Sequence, residues 1–429
     1  MLTRNSKYIK GLKLFGKDLS STLVKDTMIY MFGSGIQRAM GILLLPLYLN
    51  VLTPDDNGVI EIGNNIISIF FILFSFCLHQ AIFIEYYHFE ENKRIRLFQQ
   101  ASAGYIIFSL PLYLIGFIIL FFFNKSIIGV EFSVIALICV TTFSFLQFFQ
   151  IIFLQELRFQ RKSLKSTIFT TCVGLATAFT NILLVYYLKW GVNGVFIGNL
   201  LALCLVLIYI FYYFRKSLFF KVDFKEIFRL IAIGSPLIIS GISYWLFTGA
   251  NNQILVRTLG ANNLGLYSIA IKFVIVFQPL LIQPFINAYT PHLFKKFSEG
   301  KIYFPYKILS LSAIIFFILL GFVIKFAAGF IVVQQDYLDV LWLIPILMPG
   351  MAFVFIVNIM VLPMIYHKKT KQIVLNIAIA GIVCMVSCFF LSRLFGLLGA
   401  AIAYLIGNAV WALATIWQTK CVIKKIQHN

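Results

Sequence analysis

The chain predicts an all-α polytopic membrane protein, and three observations carry that prediction: its apolar content, the spacing of its apolar runs and the sorting of its charges. Of 429 residues, 61% are hydrophobic and 12% charged, with a mean hydropathy of +0.94, far outside the range of a soluble globular domain. The apolar runs recur at the length of helices of about 20 residues that cross a core of about 30 Å. They are centred in about 12 segments, 27–51, 62–84, 100–123, 132–154, 166–188, 194–214, 230–256, 265–290, 306–326, 340–366, 373–392 and 397–418. Of the 35 Lys and Arg, 28 fall in the terminal segments and alternate loops of one face and only five in the loops of the other. The positive-inside rule therefore places both termini in the cytoplasm.

Along the chain, residues 1–26 form a basic cytoplasmic segment. Tyr8, Leu12, Phe15 and Leu19 alternate there with Lys7, Lys10, Lys13 and Lys17, the pattern of a helix lying on an anionic leaflet or of a basic tail. The first apolar run is of span length and contains Arg38, so it reads as a retained membrane helix rather than a cleaved signal. Residues 27–214 form an N-terminal six-helix lobe, 215–229 a cytoplasmic linker, 230–419 a C-terminal six-helix lobe and 420–429 a basic tail. The two lobes are expected to be pseudo-symmetric because short motifs repeat: Leu52-Thr-Pro-Asp-Asp-Asn-Gly58 matches Leu259-Gly-Ala-Asn-Asn-Leu-Gly265 at an offset of 207, and Gly191-Val-Asn-Gly194 matches Gly396-Leu-Leu-Gly399 at 205. Both read as tight turns on the outer face. Six helices per repeat put the axis along the membrane normal, with a central cavity between the lobes.

Two cations lie inside apolar runs. Arg38 shares a face of the first span with Ser34 and Gly41, and Lys272 shares a face of the eighth with Ser268 and Pro279. An unpaired cation in hydrocarbon costs at least about 2.5–3.5 kcal/mol on insertion scales, and such residues usually face a cavity or a substrate path; the alternative is that each satisfies backbone carbonyls or snorkels. Polar stripes accompany them: Asn64 and Ser68 in the second span, Gln147 in the fourth, Asn251 and Asn252 in the seventh, Gln278 in the eighth. These suit the hydroxyls of a sugar, and equally serve as interhelical glue. All fifteen Asp and Glu read as loop or span-end residues, Glu61 among them. A cation-coupled drug exporter normally needs an intramembrane carboxylate, so the expected substrate is anionic.

Other classes fit less well. The net charge of +20 is spread over short loops, which topology explains without a nucleic-acid partner. Cys384 and Cys388 share a helix face, but no His, Asp or Glu completes a metal site, and no cofactor is expected. No phosphate loop, H-E-x-x-H or Ser/His/Asp pattern marks an enzyme. A major-facilitator transporter would carry a Gly-x-x-x-Asp-Arg type loop between spans two and three, where this chain has Glu85-Tyr-Tyr-His-Phe-Glu-Glu-Asn-Lys-Arg. A membrane-embedded glycan polymerase remains the alternative from another class.

Arg38 with Leu45-Pro-Leu-Tyr-Leu-Asn-Val-Leu-Thr-Pro and Asp56-Asn-Gly58, Gly234-Ser-Pro-Leu-Ile-Ile-Ser-Gly-Ile-Ser-Tyr-Trp-Leu, and Gly265-Leu-Tyr-Ser-Ile-Ala-Ile-Lys272-Phe resemble the polysaccharide flippases of the multidrug/oligosaccharidyl-lipid/polysaccharide exporter superfamily. The resemblance implies alternating-access export, across a bacterial inner membrane, of an oligosaccharide repeat unit on an undecaprenyl diphosphate carrier, for O-antigen or related surface polysaccharide. It also implies partners in the polysaccharide polymerase and chain-length machinery. Arg38 and Lys272 would then grip the diphosphate. Where relatives often have an Asp-Arg pair near the end of helix seven, this chain reads Asn251-Asn252-Gln253.

Overall fold

The computed structural model describes residue 46 and residues 48–86, 94–160, 162–214, 222–286, 289–290, 293, 306–332, 334–367 and 369–427. Segment 1–26 and Arg38 lie outside the described residues. All regular structure within them is helical: α1 Pro54–Phe74, α2 Leu78–Glu85, α3 Arg94–Ile128, α4 Val134–Phe159, α5 Ser163–Asn181 with a π-helical continuation Ile182–Tyr187, α6 Gly191–Phe214, α7 Phe224–Gly234, α8 Ile238–Ile275, α9 Tyr306–Ile331, α10 Gln335–Leu338, α11 Leu343–Tyr366 and α12 Thr370–Gln427. Among the described residues nine helical stretches are long and apolar enough to cross a membrane. Large apolar side chains such as Phe122, Ile208, Phe326 and Phe330 are left exposed, as a lipid-facing surface requires.

Two stretches, Phe224–Ile286 and Lys371–Ile423, run to 63 and 53 residues. At about 1.5 Å per residue either would far overshoot a core of about 30 Å if straight. Each is broken by a glycine with positive φ, Gly260 at 87° and Gly396 at 60°. Beyond Gly396 the chain returns along itself: Cys384 Sγ donates to the Ala403 carbonyl at 3.4 Å, and Asn376 Nδ2 reaches Thr415 Oγ1 at 3.5 Å.

Helix α1 starts eight residues before the predicted second span, because the segment read as an outer turn is a helix start. Thr53 Oγ1 accepts from the Asp56 amide at 3.2 Å while Asp56 Oδ2 accepts from the Thr53 amide at 3.0 Å, a capping box followed by Pro54 at the first helical position. At its other end α1 stops where Phe76 and Cys77 both take φ of 49°. The neighbouring Gly234 leaves room for this break, since a Cβ there would stand 2.3 Å from the Phe76 carbonyl oxygen. Ser109 Oγ donates to the Phe74 carbonyl, which the break would otherwise leave without a partner.

The repeated motifs occupy equivalent geometric positions. Gly191 and Gly396 both have positive φ, 56° and 60°, while Gly194 and Gly399 both press against a carbonyl of the preceding helix, those of Leu184 and Leu391. The other pair meets directly. A Cβ on Gly58 would lie 2.0 Å from the Ala261 carbonyl oxygen, and one on Gly265 would lie 1.8 Å from that of Pro54. Each glycine therefore abuts the backbone one turn before the other, so α1 and the second part of α8 cross reciprocally at backbone distance.

At the same Lys- and Arg-poor end, other bonds join the first and second halves of the chain. Gln253 Nε2 donates to the Ile128 carbonyl at 2.6 Å, and Arg257 Nη2 to that of Ser126 at 3.0 Å, capping the last carbonyls of α3 with a cation. The fully buried Tyr337 donates to the Leu52 carbonyl at 3.0 Å and accepts from Asn57 Nδ2 at 2.6 Å. At the Lys- and Arg-rich end, α7 runs across the predicted linker boundary and is N-capped by Asp223. Arg96 binds Asp223 at 2.8 Å and Glu226 at 3.2 Å, and Arg229 binds Glu85 at 2.8 Å. The segment that leads into the second half is thus fastened to helices of the first.

Gly265→Ala should lower the thermal midpoint of the purified protein by several degrees, since the new methyl meets backbone and overpacking costs about 1–3 kcal/mol. Gly329→Ala, where an added Cβ would meet nothing within 4 Å, should not lower the midpoint. Differential scanning fluorimetry in detergent reads both, and equal midpoints would remove the tight crossing.

Candidate functional site

The crossing of α1 with α8 sets two charges against each other. Glu61 lies one turn beyond Gly58 and Lys272 about two turns beyond Gly265, and Lys272 Nζ stands 3.4 Å from Glu61 Oε2. Asn252 Nδ2 approaches the other carboxylate oxygen, also at 3.4 Å. Both charged side chains are largely covered, with 34% of Lys272 and 20% of Glu61 exposed. Two sequence expectations change here. Lys272 is not an unpaired cation, and Glu61 is not a loop or span-end acid, because the capping box moves the start of α1 back to Pro54 and carries Glu61 into the helix.

Glu61 and Asn252 both line a cavity of about 200 Å³. Most of the remaining wall comes from the second half of the chain: Tyr244, Phe247, Thr248, Asn251, Tyr267 and Ile271 from α8, Gln278 from the turn after it, Met351 and Val354 from α11, and Tyr404, Asn408 and Trp411 from α12. Asn251 gives its amide nitrogen to the Phe247 carbonyl at 2.9 Å and to Cys384 Sγ at 3.0 Å, and Asn408 gives its own to the Tyr404 carbonyl at 2.8 Å. The Oδ1 atoms of both are buried without a hydrogen-bond donor. Aromatic faces complete the wall, with the Phe247 and Trp411 ring centroids 5.6 Å apart.

Of the predicted site residues, Asn251, Asn252 and Gln278 line this cavity, and Lys272 reaches it through Glu61. Asn64 and Ser68 lie on an exposed stripe of α1, where Ser68 Oγ donates to the Asn64 carbonyl at 2.8 Å. Gln147 is half-buried on α4. These three are not among the cavity residues. Arg38 lies outside the described residues. Sequence reasoning missed Tyr404, Asn408 and Trp411, which carry no motif and meet the seventh span only through helix packing, and passed over Tyr267 within the quoted segment 265–273. Glu61 was within reach, because Thr-Pro-Asp-Asp before an apolar run is a helix-start signal. Cys384 and Cys388 are buried in helix packing, and among the described residues no cluster of His, Cys, Asp and Glu could hold a metal.

Residues 23–297 match the family described as polysaccharide biosynthesis protein. The chain belongs to that family. A protein of the Lsg locus of Haemophilus influenzae is 23% identical over 365 residues, covering 81% of this chain and 86% of that protein. The fold is similar to that of a multidrug resistance MATE family transporter of the MOP superfamily in an inward-facing conformation, with a TM-score of 0.71 at 15% identity over 91% of this chain and 96% of that one. It is similar also to the lipid II flippase MurJ in an inward closed conformation, with a TM-score of 0.74 at 14% identity over 92% and 87%. The protein is therefore a multi-pass membrane protein that shares its fold with these two proteins.

Neutralising either charge alone leaves its partner uncompensated in a low-dielectric site. Lys272→Gln and Glu61→Gln should each lower the thermal midpoint, and the double variant should recover part of the loss, with a coupling of about 1 kcal/mol or more. Strictly additive effects across the four proteins would mean that the pair does not interact.

Proposed function

We propose that this protein is a flippase of about twelve spans in two pseudo-symmetric lobes. Its substrate is an anionic oligosaccharide repeat unit on a polyprenyl diphosphate, moved by alternating access from the cytoplasmic to the outer leaflet of a bacterial inner membrane. The observation that carries this reading is the Lys272–Glu61 pair beside an amide-lined cavity. The ammonium is already held by a carboxylate, and a diphosphate with more charge and more acceptor oxygens can take the place of that carboxylate. Arg38, from the first span, is the second cation of the proposed grip, and arginine suits a bidentate hold on phosphate oxygens. Asn64, Ser68 and Gln147 are proposed to meet the glycan only in another state of the cycle. The polyprenyl chain stays in lipid between helices.

The seam at the Lys- and Arg-poor end supports an arrangement closed to the outside. By the positive-inside count that end is the outer face, and there the Gly58 and Gly265 crossing, the Arg257 and Gln253 caps and the Tyr337 bonds all join the two lobes. The family, and a fold shared with a protein described as a lipid II flippase, agree with a lipid-linked glycan as cargo. An inside-negative potential favours outward movement of an anion by about 2.3 kcal/mol per charge per 100 mV, which supplies a driving force without a dedicated ion site. A polymerase and chain-length machinery would act on the delivered unit.

One observation favours a second reading, export of an organic cation: Glu61 is a carboxylate inside a helix, as a cation exporter needs. The ion pair argues against it, because Lys272 already neutralises that carboxylate.

Proteoliposomes loaded with a lipid-linked diphosphate glycan separate these readings. Wild-type protein should expose the glycan on the opposite leaflet, Lys272→Gln should slow this at least tenfold, and Arg38→Ala should abolish it, with partial rescue by Arg38→Lys. Unimpaired flipping in both Lys272→Gln and Arg38→Ala would end the proposal, and Lys272-independent uptake of a cationic dye would favour the second reading.

A further inference from the structure

The seventh span is shared between the two halves of the chain. Its cytoplasmic part, α7, packs on the first half. Ile227 is fully buried, and its Cγ2 stands 2.7 Å from where a Cβ on Gly104 of α3 would lie. The Phe228 ring is 5.4 Å from that of Phe108, also on α3, and Leu230 joins an apolar cluster with Leu78, Ile82, Leu97 and Phe148. Polar contacts run the same way: Gln100 Oε1 accepts from the Asp223 amide at 2.8 Å, Arg96 binds Glu226 and Arg229 binds Glu85. The two carboxylate side chains are only 11% and 16% exposed, so these pairs are less screened than surface pairs.

Farther along, α8 packs on the second half. The Ser243 carbonyl and the Phe247 amide lie 3.3 and 3.2 Å from where a Cβ on Gly381 of α12 would stand. Phe247 clusters with Ala380 and Cys384, and Asn251 reaches Cys384 Sγ at 3.0 Å. Between the two parts lies a single 3-10 turn, Ser235–Leu237, in which no residue is buried. Pro236 has no amide hydrogen to give the Ala232 carbonyl, and its ring crowds that carbonyl, so the helix is weakest there. The second span breaks at the same place. Phe76 and Cys77 both have φ of 49°, and Gly234 abuts the Phe76 carbonyl, with only 2.3 Å left for a Cβ. Because both helices break where they touch, α2 and α7 can keep their ion pair while α1 and α8 turn beyond them.

We propose that the mechanical boundary between the lobes lies inside the seventh span: α7 moves with the first lobe, α8 with the second, and Ser235-Pro236-Leu237 is the hinge between them. This rests on alternating access by two lobes, whatever the cargo. A helix held at its two ends by bodies that reorient must bend where neither body grips it, and the unburied turn is that place. The linker 215–229, which the sequence offers as the boundary, is then not the pivot, because Asp223, Glu226 and Arg229 fasten the segment that follows it to the first lobe.

Spin-label distances on the full chain in lipid nanodiscs test this, with Cys172, Cys204 and Cys421 replaced by serine. Labels go in pairs on Lys165→Cys in α5, Lys225→Cys in α7 and Lys371→Cys in α12, all exposed positions. Each pair is measured with the outer seam intact and with it cut by Arg257→Ala and Tyr337→Phe, which remove bonds between the halves. Cutting the seam should change the distances from Lys371 to Lys165 and to Lys225 by several ångström and leave Lys165 to Lys225 unchanged. Pro236→Ala, at an exposed position, should reduce the Lys165 to Lys371 shift at least about twofold, since the restored amide lets the helix run on. A Lys225 label that keeps its distance to Lys371 and shifts against Lys165, or that shifts independently of both, would overturn the hinge and leave alternating access standing. An unaltered shift in Pro236→Ala would also overturn it. Three unchanged distances would remove the hinge together with alternating access.

Discussion

The close crossing of α1 and α8 is the constraint from which the rest of the site follows. Only glycine at positions 58 and 265 lets two backbones approach to the distances seen, because a methyl group on either would overlap a carbonyl of the other helix. Once the helices touch there, the next turns of each are committed to facing one another. Glu61 follows Gly58 by three residues and Lys272 follows Gly265 by seven, which sets an acid and a base at 3.4 Å. The glycines and the ion pair are thus one device: without the crossing neither charge would have its partner, and each would be a desolvated ion.

The glycines of the paired motifs agree in backbone geometry, while the residues around them differ in chemistry. Gly58 and Gly265 have equivalent roles, as do Gly194 and Gly399. By the same offset of 207, however, Lys272 corresponds to Asn65 and Glu61 to Ser268. Helix crossings and turns demand small residues at fixed places, whichever half they occur in. The charge pair occurs once, at the crossing. The cavity is asymmetric as well: its polar groups and aromatic faces come almost wholly from the second half of the chain.

The membrane class and the helix-turn glycines were legible from the sequence because they depend on local rules, the length of apolar runs and the positive φ that only glycine takes easily. The depth of Glu61 was harder to read, since hydropathy windows blur the start of a helix whose first turns are polar; the Thr53 and Asp56 capping box decides it. Asn251, Asn252 and Gln278 were legible as polar residues in apolar runs. The sequence could not distinguish their positions from those of Asn64, Ser68 and Gln147, because that depends on how helices rotate against one another. Asn408 and Tyr404 enter the cavity from α12, and nothing local marks them. The double-glycine turn at Gly396 is what folds α12 back and brings them to Asn251.

In the proposed flippase the carboxylate of Glu61 holds the place that an anionic headgroup takes. Infrared difference spectroscopy on the protein with and without a polyprenyl diphosphate tests this directly, with the Glu61 band assigned by its loss in Glu61→Gln. Binding should shift the Glu61 carboxylate band as its contact with Lys272 is released. A Glu61 band unchanged at saturating lipid would contradict it.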